Sequence, residues 1–551
     1  MRQSIGVRSV LATAVSAVAL LTAVPGAMAQ ANDPLLQLLV KKGVVSSADA
    51  AGVVTRDQLT NLLVRKGVIS AQDASALPPP APVVIAAPVG AAPPLIAAAP
   101  GGSPFAFRVG NVNFQVGGFL DFETIIRSSN TGNSTATNFG AVPFGNTVAG
   151  KQRDMRLTAQ NTRFSLKATS NFWGNNVTGY AEMDFNGNDA ANVNVNTNSH
   201  TARLRLAYVD VMRGSWDFAA GQMWSWATPN RVGLSADPND VFTTYNYDQN
   251  YIAGLTWARQ AAIRAAWHPN QNLAIGVSLE NPDQYVGSGE VLYPFAFNAQ
   301  LGTQNDNTVV PGAPAFAPDL IPKIAFDAAP MGMHLHAEAL GLFRAYRIAV
   351  LPTFVNATFD HDVIVTKAGG ASAMLEVLPG LTLVGTGMYG EGIGRYAGGL
   401  GPDIIVQPFA VPGGFDARIL PVTGASGVVG AEWRVTPNDL LAAYGGAAFF
   451  HKNAVPDVTS PVAGPPFVGF GGPNSANSNN RVVKEMSFDY IRNIWQDPQY
   501  GSLQAGLQFS TVVREPWFVP AGAPKDAISH IGIVNLRYNL PAPMVPAPPP
   551  P

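Results

Sequence analysis

The chain has 551 residues, a formal net charge of −2 and no cysteine. Only 13% of its residues are charged, about half the ~25% usual in soluble domains, and no basic run marks a nucleic-acid surface. The missing cysteines exclude disulfides, a thiol nucleophile and thiolate metal sites.

Chain order begins with an export signal. Arg2 and Arg8 precede the apolar core "LATAVSAVALLTAV", and Ala27 and Ala29 occupy the small-residue positions before a cut. This pattern predicts a signal peptide over 1–29, cleaved after Ala29. Residues 30–77 contain a repeat. "LLQLLVKKGVVSSADA" (35–50) returns as "LTNLLVRKGVISAQDA" (59–74). Each copy reads as a short helix ending near Gly43 or Gly67, where glycine takes the left-handed cap without steric cost. Such helices are too short to stand alone, so their leucines are expected to pack on each other or on copies from other subunits. The segment reads as a periplasmic oligomerisation or wall-facing module, or as a passive spacer. A Pro/Ala linker covers 78–104 and a Pro-rich tail covers 541–551; both favour extended chain without a packed core. The folded body is therefore 105–540.

Strand alternation runs through that body. "VNFQVGGFLDFETIIR" (112–127) sets Phe114, Val116, Leu120, Phe122 and Ile126 against Gln115, Asp121, Glu123 and Arg127. "RFSLKATS" sets Arg163 and Lys167 against Phe164 and Leu166, and "VTGYAEMDF" sets Tyr180, Glu182 and Asp184 against Ala181 and Met183. "ARLRLAY" sets Arg203 and Arg205 against Leu204 and Leu206; "RQAAIRAAWH" sets Gln260, Arg264 and His268 against Ile263 and Trp267. Short turns are expected at 171–176, 213–216, 268–272, 329–332, 378–380, 436–439 and 492–499. Long Gly/Asn/Pro/Ser-rich loops are expected near 128–152, 188–199, 225–256, 282–321, 348–366, 392–425, 452–481 and 514–526. Seven turns and eight loops connect sixteen strands.

A sheet with one apolar face and no helix to cover it has few homes. In lipid every backbone group must be paired internally, so the sheet must close. Spanning strands of ~9–11 residues, an even strand number, short periplasmic turns and long external loops are the expected pattern. The expected fold is an all-β membrane protein: a 16-stranded antiparallel transmembrane β-barrel with a short helical periplasmic extension. A soluble β-solenoid or β-sandwich enzyme would explain the alternation but not the rhythm of short and long connections.

The stretch "RFSLKATS…GYAEMDFNG…RLRLAYVDVMRGSWDFAAGQMWSWATP", followed by "RQAAIRAAW", resembles the DcaP-like outer-membrane porins. The likeness runs from the leucine-rich segment into the first third of the barrel. It implies a homotrimer in outer-membrane lipid with its N-terminal extension in the periplasm. It also implies passage of small anionic solutes, dicarboxylates among them. One departure stands out: the last strand, "HIGIVNLRYNL", ends on Leu540 rather than on an aromatic.

The expected inner face carries both signs. Arg163, Lys167, Arg203, Arg205, Arg259 and Arg264 alternate along the chain with Asp121, Glu123, Glu182 and Asp184. Charges on the lipid face cost ~2–4 kcal/mol near the midplane, so these groups are expected to line the pore. Cross-strand pairing would make the lumen wettable. A transverse field at a constriction would orient anionic solutes, and arginine suits carboxylates because its fork donates in pairs. If the 225–256 loop enters the lumen, Arg231, Asp237, Asp240 and the Tyr245–Tyr251 cluster would line the narrow point. Otherwise it is an ordinary external loop.

His334, His336 and Glu338 share a face but lack a clear third and fourth ligand for a metal. The glycines of "GEGIGRY" lack a nucleotide-loop register. No metal, cofactor or catalytic residue is assigned. Trp173, Trp216, Trp224, Trp226, Trp267, Trp433 and Trp517 fall near strand ends, where interface girdles place tryptophan. The expected function is passive diffusion of small hydrophilic, anionic solutes. The alternatives are a barrel anchor that tethers the outer membrane to the cell wall through residues 30–104, and a barrel-based hydrolase, for which no persuasive Ser–His pair appears.

Overall fold

A computed structural model describes residues 97–98, 105–132, 135–189, 193–235, 242–246, 250–287, 290–307 and 313–541. The expected signal peptide, the leucine-rich repeat, all but two residues of the expected linker and nearly all of the Pro-rich tail lie outside them. Sixteen antiparallel strands form the barrel. The first eight are β1 (Val112–Arg127), β2 in two pieces (Asp154–Thr158 and Arg163–Phe172), β3 (Asn175–Asp184), β4 (Arg203–Arg213), β5 (Trp216–Trp224), β6 (Arg259–Asn270), β7 (Leu273–Glu280) and β8 (Asp319–Ala328). The second eight are β9 (Leu335–Val350), β10 (Asp360–Leu378), β11 (Leu381–Glu391), β12 (Thr423–Thr436), β13 (Asp439–Phe450), β14 (Asn480–Asp497), β15 (Gly501–Pro516) and β16 (Ala527–Asn539). Each pairs with its neighbour in sequence, and β16 pairs with β1 from Asn539↔Phe119 to Ile531↔Arg127. No sheet edge is left among these strands, as a bilayer requires.

The exposure of side chains follows the pleat. On β1, Leu120, Phe122 and Ile126 are about half exposed, whereas Asp121, Glu123, Ile125 and Arg127 are buried. On β16, Val534 and Leu536 point out and Asn535 in. The apolar outer face and polar inner face are those of a lipid-spanning barrel. Among the described residues, no helix is long and apolar enough to cross a membrane.

Four expectations are corrected. The 348–366 segment is mostly strand: β9 runs to Val350 and β10 starts at Asp360, because "HDVIVTK" alternates as well as any strand in the chain. The 492–499 turn is likewise mostly strand, since β14 continues to Asp497 after a bulge between Asn493 and Trp495. Leu206 is not on the lipid face. A bulge opposite Glu182–Met183 adds a residue at Arg205, so Leu206 and Tyr208 turn inward and are buried. Gln222 Nε2 donates to the Leu204 and Arg205 carbonyls that the bulge leaves over. Finally, Ala97–Ala98 of the linker forms a short strand against Ala106–Val109, which in turn pairs with the start of β1.

At that start, Gly118 has φ +121°, and a Cβ there would lie 2.1 Å from the Arg163 carbonyl oxygen. Only glycine lets β1 change neighbours at this point. Below it β1 pairs with Ala106–Val109; above it, with β16.

The long loops gather at one end of the barrel. Those after β7 and β11 clasp each other. Tyr285 Oη donates to the Gly399 carbonyl at 3.0 Å, and the Asp403 amide donates to the Tyr285 carbonyl at 2.9 Å. Arg344 of β9 holds Asp319 at 3.0 Å and Asp403 at 2.6 Å. A hairpin, Ile404–Val411 with Gly414–Pro421, completes the cap.

Candidate functional site

The loop between β5 and β6 enters the barrel and crosses it. Its first part is pinned to β7–β9 by main-chain donors: the Trp226 amide donates to Glu280 at 2.9 Å, the Asn230 amide to Glu338 at 3.1 Å, and the Gly233 amide to Asp327 at 2.9 Å. Arg231 then grips Glu432 of β12 in a bidentate pair of 2.7 and 3.0 Å. The loop next reaches the far wall. The Thr243 amide meets Tyr444 Oη at 3.0 Å, the Tyr245 amide meets Gln508 at 2.6 Å, and the Ala253 amide meets Glu485 at 2.9 Å. Gly254 lies flat on β12–β13, where a Cβ would come 2.3 Å from the Gly427 carbonyl oxygen. Strand glycines mark such close backbone approaches. The carboxylates and amides on the wall thus serve as acceptors for a backbone that has left the sheet, which satisfies groups that would otherwise be buried unpaired.

Beneath the loop lies a chamber of about 240 Å³. Its lining includes Arg163, Arg203, Arg205, Arg434 and Arg537, with Phe119, Trp224, Phe242, Tyr245 and Tyr251 between them. Asn161, Asn438, Asn493 and Gln504 are among its polar lining residues, with Thr228, Thr243, Thr244 and Asn246 contributed by the loop. Among the described residues, no carboxylate lines it.

The acids that alternate with these arginines in the sequence sit deeper. Glu182 accepts from Arg205 Nε at 2.7 Å and lies 3.7 Å from Arg163. Asp184 accepts from Arg203 Nε and Arg205 Nη1, each at 2.7 Å. Asp184 is fully enclosed whereas Arg203 is 29% exposed. Asp121 accepts from Arg537 Nε at 2.7 Å and from Asn535; Glu123 accepts from Asn535 at 3.1 Å. Phe119 lies between two guanidinium groups, 5.0 Å from that of Arg163 and 4.1 Å from that of Arg537. The cations therefore stand in front of the anions as seen from the chamber.

The residues expected to line the pore divide accordingly. Arg163, Arg203 and Arg205 meet at the chamber, with Asp121, Glu123, Glu182 and Asp184 behind them. Lys167 is nearer the strand end, opposite Gln115 and Tyr180, and outside the chamber. Arg264 does not reach it. It is 5% exposed, closed in by Ser278 and Glu280, with its guanidinium 5.3 Å from the Trp226 ring. It supports the root of the loop. Arg231 is committed to Glu432. Asp237 and Asp240 lie outside the described residues.

Arg434 and Arg537 were not singled out from sequence, although each alternates with an outward apolar residue, Trp433 and Leu536. Trp224 and Trp226 are not girdle residues. Trp224 packs 6.0 Å from Tyr251 and 6.1 Å from Trp257, and Trp226 is buried in the loop root. Trp216, Trp267 and Trp433 are outward and half exposed.

His336 and Glu338 belong to a buried polar cluster. His336 lies 2.8 Å from Asp327 and 3.2 Å from Glu338, which also meets Lys323 at 3.0 Å. His334 lies 3.8 Å from the same Asp327 carboxylate but is 46% exposed, at the edge of the cluster. Among the described residues, no group of three or more potential ligands could hold a metal ion.

No protein-family model and no curated protein matches the chain. Solved structures do. The outer-membrane channel DcaP of Acinetobacter baumannii aligns with a TM-score of 0.53 at 16% identity, over 78% of this chain and 97% of that one. An anion-selective porin from Comamonas acidovorans aligns with a TM-score of 0.40 at 11% identity, over 78% of this chain and 99% of that one. OprB of Pseudomonas putida aligns with a TM-score of 0.41 at 11% identity, over 77% of this chain and 94% of that one. The fold is that of a DcaP-like porin.

Proposed function

We propose that this barrel, lying in a bacterial outer membrane with its long loops outside, is a passive pore for small hydrophilic anions. The observation that carries the reading is the sign of the chamber lining: five arginines and, among the described residues, no carboxylate. Asp121, Glu182 and Asp184 hold Arg537, Arg203 and Arg205 in position and offset part of their charge, so the chamber faces the positive end of each ion pair. A low-dielectric wall strengthens that field, and a cluster of one sign at a constriction raises the local concentration of the opposite sign. Guanidinium forks would bind carboxylates in pairs, and the aromatic rings between them would flank an apolar solute body. In this reading the contacts are short-lived: the arginines touch a solute from the wall only and do not enclose it, so it can leave. No bond is made or broken.

The expected pore-lining set, as a proposal, is Arg163, Arg203, Arg205, Arg434 and Arg537, supported from behind by Asp121, Glu123, Glu182 and Asp184. The natural oligomer in this reading is a trimer, and the extension at 30–104 extends into the periplasm with wall contact as one role. The test is a planar bilayer with a salt gradient. A reversal potential of the sign for anion preference is expected. A protein that inserts and conducts cations preferentially, or not at all, would sink the reading.

A further inference from the structure

The lipid-facing surface of the barrel is largely apolar, and at the loop end of β13–β15 it carries two cations paired with one carboxylate. Lys484 of β14 points outward between Ala447 and Val513, its register partners. Its sequence neighbours Val483 and Glu485 are buried inward, and Met486 and Phe488 continue the outer face. Three residues earlier, a bulge between Asn480 and Val482 takes Arg481 out of register. By alternation with Val483, Arg481 would face the lumen. The bulge turns it outward, as bulges re-aim side chains. Arg481 and Lys484 then share a single carboxylate, Glu515 of β15, with Lys484 Nζ at 2.6 Å. Both cations remain nearly half exposed, 46% and 48%, against 21% for Glu515.

A third cation, Lys452, follows β13 with its ammonium 6.0 Å from the Trp517 ring. His451 stacks edge-on against Phe449 at 4.9 Å, and Phe449 meets Trp517 at 6.1 Å. Aromatics at this height mark the membrane–water interface. Two cations thus share one carboxylate at the level of the headgroups, and a third lies against the neighbouring aromatic pair. A charge on the lipid face is unfavourable unless it finds a counter-ion there. Small outward residues beside Lys484, Ala447 and Gly445, leave its flank open to a bulky headgroup.

We propose that Arg481, Lys484 and Lys452 form a docking site for a phosphate-bearing glycolipid of the outer leaflet, the phosphate bridging Arg481 and Lys484 while Phe449 and Trp517 flank the acyl root. The proposal rests on the pore reading only for the orientation, loops outward. The charge ratio favours a phosphate over a zwitterionic headgroup, whose own cation would be repelled. It also disfavours a second copy of this chain docking through the same patch, which would set like charges against each other; a contact with a different face of a second copy is an outcome of the test.

The test uses the full-length protein purified in detergent, exposed to diphosphoryl lipid A or to its fully dephosphorylated form, with retained lipid counted by mass spectrometry. Wild type is expected to retain the phosphorylated form at least about tenfold better. The double variant Arg481→Gln, Lys484→Gln is expected to lose that preference, and Glu515→Gln to keep or strengthen it. Folding is checked by the heat-modifiable gel shift of an intact barrel. Equal retention of both lipids by wild type, or an unchanged preference in the folded double variant, would overturn the proposal. So would a change of oligomer size in the double variant without lipid, which would make the patch a subunit contact. Conductance and ion selectivity should be the same in wild type and double variant. If wild type forms no pore while the lipid preference holds, the pore reading fails and the docking site stands.

Discussion

Asp121 on the first strand and Arg537 on the last are register partners across the seam that closes the barrel, with Nε 2.7 Å from the carboxylate. They are 416 residues apart in sequence. The ion pair is enclosed on the acid side and 19% exposed on the arginine side.

Breaking that pair should weaken closure. Removing one partner of a buried ion pair costs ~3–5 kcal/mol because a charge is left uncompensated. The partial exposure of Arg537 puts the expected loss for Arg537→Gln near ~3 kcal/mol. Denaturant unfolding in detergent micelles, followed by the gel shift of the closed barrel, measures it. Arg537→Lys should recover less than half, since the fork geometry is lost. A loss below ~0.5 kcal/mol for Arg537→Gln would show that the seam is held by its backbone ladder alone.

Arg434 offers a cleaner test of selectivity. Its side chain is exposed and lines the chamber, and among the described residues it makes no ion pair that the substitution would disturb. Arg434→Glu should lower the anion-to-cation permeability ratio by about two- to tenfold, in line with the concentrating effect of a charged constriction, and leave unfolding unchanged. High salt should reduce the difference between variant and wild type, as the Debye length falls to ~3 Å at 1 M.

The inserted loop is clamped at its far end by Glu485, which accepts from the Ala253 amide at 2.9 Å and from Asn246 Nδ2 at 3.1 Å. Glu485→Ala removes both acceptors. Single-channel records should show larger mean conductance and open-channel noise as the loop loses its anchor, whereas Glu485→Gln, which keeps one acceptor oxygen, should lie between. Identical, quiet records from all three would show that the remaining clamps suffice.

The clasped outer loops should respond to pH. Burial pushes the Asp283 carboxyl up to about 7 from its ordinary 3.8; Arg395 opposes this, and Asp306 and Asp403 add to it. A carboxyl raised on folding stabilises the folded loops fully below the unfolded value, and that stabilisation is lost as pH rises through about 7. Amide hydrogen exchange in the peptide covering 281–307, corrected for intrinsic rates, should therefore quicken between pH 5 and pH 8. Asp283→Asn should flatten the dependence. A pH-independent profile in wild type would contradict the assignment.

Much of the fold was legible because a two-residue period is a direct readout of which side of a wall a residue occupies. The strand number followed from the spacing of Gly/Pro/Asn-rich connections. What alternation could not supply was its own interruptions. The bulge at Arg205 reverses the parity of Leu206, and nothing in "ARLRLAY" announces it. The site was half legible. Arg163, Arg203 and Arg205 were found by parity, and Arg434 and Arg537 could have been found the same way, since Trp433 and Leu536 flank them. Parity gives the side but not the depth, so it placed Asp184 and Arg203 together in the lumen where one stands behind the other. The path of the inserted loop was out of reach, because it depends on acceptors such as Gln508, 263 residues away from Tyr245.

That separation has a consequence for assembly. The loop is made with β5 and β6, but its landing points on Tyr444, Glu485 and Gln508 belong to β13, β14 and β15. Without those three strands the loop has no surface to land on. The crossing of the barrel interior therefore depends on the full circuit of the wall, and a barrel lacking its final strands would be an open gutter with the loop left unanchored at its far end.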